Sequence, residues 1–160
     1  MERLSKGLWP VMLTPFKGNS GIDYSGLEEL TEYYLSAGAN GLFANCLSSE
    51  MFQLTDEERV LITKTVVKKV NGRVPVVSTG TFSQKIDKNI DFIKRINDTG
   101  VQAVVINSNQ LTDKTAEESV FRAKMEKLIE STGSIPLGLY ECPIPYKRLI
   151  SVEFLAWLGK

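Results

Sequence analysis

Short apolar runs alternate with longer amphipathic ones along the chain. The runs PVMLTPF (10–16), GLFANC (41–46), VPVVSTGT (74–81), AVVINSN (103–109) and IPLGLYEC (135–142) are rich in Val, Ile, Leu and Phe and lack polar alternation. Strands covered on both faces read this way. The stretches between them, 25–38, 55–71, 84–98 and 115–132, carry apolar residues at helical spacing, and a fifth such pattern opens near Ser151 in SVEFLAWLGK. Punctuation supports these helices. Asp23 and Ser25 precede the first and Gly38 follows it; Thr55 opens the second as TDEER, and Asn71-Gly72 closes it. Ser83 and Gly100 bracket the third, Thr115 and Gly133 the fourth. Such residues accept the free N–H groups at a helix start or take the left-handed turn after its end.

Strand and helix in strict alternation predict βαβ units and a parallel sheet. Two architectures compete, an open doubly wound sheet and a (β/α)8 barrel. The open fold carries a G-x-G-x-x-G fingerprint after its first strand, whereas this chain has TPFKGNSG there. A full barrel takes about 250 residues. With roughly thirty residues per unit, the prediction is α/β of the TIM-barrel type, present as a partial barrel of about five βα units in a single domain over residues 1–160, with the last helix cut at Lys160. No linker or low-complexity tract divides it.

Composition removes several function classes. Nineteen basic and nineteen acidic residues cancel, and no Lys/Arg cluster alternates with aromatics, so the footprint of a nucleic-acid binder is missing; a membrane-surface role is equally unsupported. The opening MERLSKGLWPVML is broken by Pro10 and fits neither a signal peptide nor a spanning helix, so a cytoplasmic location is expected. Two cysteines, Cys46 and Cys142, make no disulfide framework, and the absence of histidine removes the usual zinc constellations and any Ser-His-Asp or Cys-His mechanism within the chain. Acid–base work falls to Tyr, Lys, Asp, Glu or Cys.

In either α/β architecture, chemistry sits at the carboxyl ends of the strands. The polar residues expected there are Thr14, residues 45–50 (NCLSSE), 78–81, 107–110 and 140–142. In the segment NCLSSE, the Ser48 and Ser49 hydroxyls and the N–H groups of the following turn suit a carboxylate, although serines in a loop also serve simply to satisfy its backbone. Glu50 reads either as a base or as a tie for loop backbone. Tyr140 ends an apolar strand just before Pro143 and Pro145; its phenol can shuttle protons, or its ring can be buried with the hydroxyl left wet. Cys46 and Cys142 fall near the same face, as nucleophiles or as small buried hydrophobes.

The order VMLTPF (11–16), LTEYYLSAGANGLFANCLSSEMFQLTDEER (30–59), VPVVSTGTF (74–82), INDTGVQAVVINSN (96–109) and IPLGLYECPIP (135–145) resembles the dihydrodipicolinate synthase and N-acetylneuraminate lyase family over essentially the whole chain. The resemblance implies a (β/α)8 barrel, usually tetrameric, and a class I aldolase or lyase in which a lysine forms a Schiff base with pyruvate or a related 2-oxo acid and an aldehyde is the second partner. No cofactor and no metal are expected. The family's G-[TS]-T-G-E loop followed by L-[TS]-x-x-E corresponds to CLSSE (46–50) and LTDEE (54–58), where Ser48 keeps the hydroxyl implied to bind the substrate carboxylate, with Ser49 beside it. Leu47 replaces a hydroxyl residue there, and Cys46 and Ser49 replace glycines. The family's Y-x-x-P is matched by YECP (140–143), which implies that Tyr140 is the catalytic proton-transfer phenol. The arginine expected after that proline has no clear counterpart in IPYKR, where Lys147 and Arg148 are displaced, and a strand-four PYY tyrosine is replaced by NSNQL (107–111). These departures argue against a strict dihydrodipicolinate synthase and leave the aldehyde open.

By the same resemblance, the Schiff-base lysine stands on a sixth strand, beyond residue 160. Lys160, beside a glycine at a chain terminus, and Lys147, in a turn, are poor substitutes, because such a lysine needs a desolvated pocket. The expectation is that the 160-residue chain is inactive by itself and, with five parallel strands and open edges, self-associates as a homo-oligomer or pairs with a complementary segment. The alternative is a non-catalytic module that binds small acids or assembles.

Overall fold

The computed structural model describes residue 4 and residues 6–18 and 20–159. Among the described residues five α-helices alternate with four strands: α1 Tyr24–Ser36, β1 Leu42–Phe43, α2 Asp56–Val70, β2 Val76–Thr79, α3 Ile86–Asn97, β3 Ala103–Asn107, α4 Glu118–Thr132, β4 Leu137–Tyr140 and α5 Val152–Leu158. The strands pair in parallel in the order β1-β2-β3-β4, with Leu42 opposite Val76, Val77 opposite Ala103 and Val104 opposite Leu137. Sequential order without a reversal leaves no topological switch point, which sets aside the open doubly wound sheet. Phe43 on β1 and Tyr140 on β4 have two strands between them, a separation of about 14 Å in a flat sheet. Their rings stand 6.0 Å apart, edge to face. The sheet therefore curls, as the wall of a barrel does.

Residues 10–16, expected to form the first strand, contribute one parallel bridge, Val11 to Phe43, with Met12 N–H donating to the Phe43 carbonyl and Phe43 N–H to that of Pro10. Pro10 and Pro15 bring no N–H to a ladder, so pairing stays at one rung. The helix starts also differ from the sequence signals at two places. α3 begins at Ile86 after Lys85, with the Ser83 hydroxyl accepting from Lys85 N–H; α4 begins at Glu118, with Thr115 bound to the Asp113 carboxylate instead. Asp23, Thr55 and Ser151 do cap α1, α2 and α5, and Thr55 and Glu58 form a reciprocal capping box.

The main core lies between sheet and helices, with Leu42, Val76, Val104 and Ile106 packed on Leu27, Ile62, Val66, Ile93, Phe121 and Leu128. A smaller cluster of Val77, Ala103 and Val105 with Trp9, Phe43 and Tyr140 fills the concave face. β2 and β3 are buried throughout, whereas all four residues of β4 are half-buried. Beside β4 a groove of about 560 Å³ opens between α4 and α5, lined by apolar residues that include Ile129, Leu137, Leu139, Leu155 and Leu158. Among the described residues no helix is long and apolar enough to cross a membrane.

Candidate active site

The turn after β1 is held by one hydroxyl. Ser49 Oγ, fully buried, accepts from Cys46 N–H at 3.0 Å and lies 2.6 Å from the Met12 carbonyl and 2.8 Å from that of Ala44. Thr14 Oγ1 donates to the Ser49 carbonyl at 2.8 Å. Residues 47–49 consequently form a 3-10 turn that ends at Glu50 in the left-handed region, φ 57°. Fully buried, with its proton and one lone pair used inside the chain, Ser49 is scaffold for this turn. The Ser48 side chain is exposed, so of the two serines it is the one whose hydroxyl is open to solvent. Glu50 is also exposed.

Tyr140 closes β4 at the carboxyl edge, opposite Asn107 of β3. Side chains alternate between sheet faces along a strand, so Tyr140 shares the concave face with Phe43, Val77 and Val105. Cys46 and Cys142 are buried, and both lie close enough to the Tyr140 hydroxyl to act on its ionisation. Burial, reinforced by the two thiols, pushes the Tyr140 phenol up to about 12. Burial likewise pushes the Cys46 thiol up, against the partial relief given by the Leu47 and Ser48 N–H groups. Both groups are neutral near pH 7; Cys46 is a buried small hydrophobe rather than a thiolate nucleophile. Thr79 and Asn107, two residues beyond Val77 and Val105 and fully buried, leave Thr79 Oγ1 and Asn107 Oδ1 without a hydrogen bond.

The remaining candidates separate from this face. Ser78 points to the helix side, where it meets Thr63 Oγ1 at 2.9 Å and Asn45 Nδ2 at 3.2 Å. Lys147 is half-exposed and pairs with Glu141 at 3.6 Å. Arg148 lies over the Phe121 ring and donates to the Ala116 carbonyl, away from Tyr140. Lys160 lies outside the described residues. Among the described residues no three His, Cys, Asp or Glu side chains gather as a metal site.

The sequence reading grouped residues 107–110 without separating Asn109 from its neighbours. Its amide is 1% exposed and donates to the carbonyls of Cys142 at 2.6 Å, Ile144 at 2.9 Å and Tyr146 at 2.7 Å. The corner that follows Tyr140 includes a cis Ile144–Pro145 bond, and Tyr146 donates its hydroxyl to the Thr112 carbonyl. An asparagine among polar loop residues carries no sequence signal for such a role; only the neighbouring prolines mark a rigid corner.

A curled, in-order parallel sheet with a phenol, an exposed hydroxyl and turn N–H groups at its carboxyl edge defines the class: a (β/α)-barrel protein, a fold whose active sites are built at the strand ends. The model of the dihydrodipicolinate synthetase family matches residues 4–156. This chain belongs to that family. It is 31% identical over 160 residues to the 4-hydroxy-tetrahydrodipicolinate synthase of Staphylococcus carnosus, covering all of this chain and 53% of that protein. The synthase of Methanocaldococcus jannaschii is 33% identical over 148 residues, 92% of this chain and 49% of its own. The crystal structure of a dihydrodipicolinate synthase from Bacillus anthracis superposes with a TM-score of 0.85 at 26% identity, over 99% of this chain and 53% of that one. N-acetylneuraminate lyase from Mycoplasma synoviae, at 19% identity, shares the fold with a TM-score of 0.78 over 97% of this chain and 51% of its own. The chain thus spans about half the length of the curated relatives it matches.

Proposed function

We propose that this chain is the first part of a Schiff-base-forming aldolase or lyase that acts on pyruvate or a related 2-oxo acid with an aldehyde. In this reading Tyr140 transfers protons, Ser48 and the adjoining turn N–H groups receive the substrate carboxylate, and Ser49 keeps that turn in shape. The supporting observation is the position of Tyr140 on the concave face at the carboxyl edge of β4, with its phenol held neutral to about pH 12. A neutral phenol there donates its proton to the alkoxide developing on the aldehyde oxygen and regains one from a neighbouring hydroxyl or water. In this reading the amine that attacks the 2-oxo carbonyl, expelling water to give the iminium, is supplied from outside the described residues; Lys147 is half-exposed beside Glu141 and lacks the desolvated pocket such a lysine needs. The half-buried β4 and the apolar groove beside it are where further strand and helix would continue the barrel. On this account the 160-residue chain alone does not turn over.

The test joins this chain to the second half of the Staphylococcus carnosus relative and compares Tyr140→Phe with the parent. The expected loss in kcat is about 10²- to 10⁴-fold, the usual worth of a positioned acid–base group, with the fold unchanged. Full activity in Tyr140→Phe would contradict the role. A joined chain that binds 2-oxo acids but has no activity would favour the non-catalytic module.

A further inference from the structure

The segment after Tyr140 has no regular secondary structure between residues 141 and 151. Its backbone carbonyls therefore lack the partners that a helix or strand would give them. Three of them, at positions 142, 144 and 146, converge on one group, the Asn109 side-chain amide. Alternate carbonyls of one strap meeting at a point bend it around that point. The amide has two N–H bonds, so one is shared between two acceptors, and its burial leaves no water to take its place. Ser108 and Thr112 add bonds to Arg148 and Tyr146 on the same strap. The whole corner is thereby fastened to the segment that leaves β3.

We infer that Asn109 is a positioning residue for Tyr140: by gathering these three carbonyls it fixes the corner that holds the phenol on the concave face, against Phe43. The link is short. Cys142, whose carbonyl receives the shortest of the three bonds, is two residues beyond Tyr140 and fully buried. A proton-transfer group must sit within a few tenths of an ångström of its productive place, which requires a locked support. The inference rests on the proposed role of Tyr140, but its test does not need catalysis.

In the 160-residue chain with 13C-labelled tyrosine, the Tyr140 ring resonance is assigned by its disappearance in Tyr140→Phe and then titrated. Asn109→Leu, close in size but without the amide, is expected to bring the Tyr140 ionisation down from about 12 toward its ordinary 10.0, at least a tenfold rise in the ionisation constant. Asn109→Gln, which keeps the amide on a longer stem, is expected to fall between. If Asn109→Leu does not fold by circular dichroism, Asn109→Gln decides alone, and an unshifted titration there overturns the inference. So does a folded Asn109→Leu of lower thermal stability whose Tyr140 titrates as in the parent, since that is the signature of a merely structural bond. A shifted titration together with failure of the catalytic test would leave the positioning role standing and remove the reaction.

Discussion

Tyr140 couples the candidate site to folding through its proton. The phenol keeps its proton to about pH 12 in the folded chain, against 10.0 ordinarily. Between those values the unfolded state has released a proton that the folded state retains, so stability falls as pH rises from about 10 to 12 and is untouched by this group below 10. Urea midpoints at about pH 9 and pH 11 should therefore drop less in Tyr140→Phe than in the parent; equal drops would mean that the phenol is not shielded. At this scale the sequence singled out Tyr140 as a candidate through its corner and strand end, because prolines and an apolar run are local features. It did not separate Ser48 from Ser49: both are serines in one turn, and only the approach of Met12 and Ala44 takes up the second hydroxyl. Asn109 was hidden for the same reason, since its three partners lie 33 to 37 residues away.

Among the elements, the contact between α3 and the sheet is set by the absence of a side chain. A Cβ at Gly80 would stand 2.3 Å from Val104 Cγ1 and 2.8 Å from Ile93 Cγ1. Both neighbours are fully buried and have no room to retreat. Gly80→Ala should cost about 1–3 kcal/mol in denaturant unfolding; an unchanged midpoint would show that α3 and β3 are loosely packed. Helices were legible to within a few residues where a side chain caps them, as at Thr55 and Ser151. At Ser83 and Thr115 the expected starts, 84 and 115, fall two and three residues early, because there the hydroxyl serves a turn ahead of the helix. Strands came out shorter than their apolar runs, since the runs continue into loop segments that are buried without being paired, as Cys46 and Asn109 are. In the LTDEE motif, Thr55 and Glu58 cap each other at the start of α2, a structural use of residues that the family resemblance marks as a signature.

For the molecule as a whole, order and curvature carry the fold. Thirty-residue spacing pointed to parallel βα units, and the in-order sheet that curls Phe43 onto Tyr140 turns those units into a barrel wall. What the spacing could not supply was the reach of the site, which in this reading draws its amine from a part of the barrel other than the one described. The most direct measurement is borohydride trapping with pyruvate, followed by peptide mass mapping, on the 160-residue chain alone and joined to the second half of the Staphylococcus carnosus relative. The account expects no adduct on the chain alone and one reduced pyruvate per joined chain, on a lysine of the added half. A stoichiometric adduct on the chain alone, at Lys147 or any other of its lysines, would contradict it.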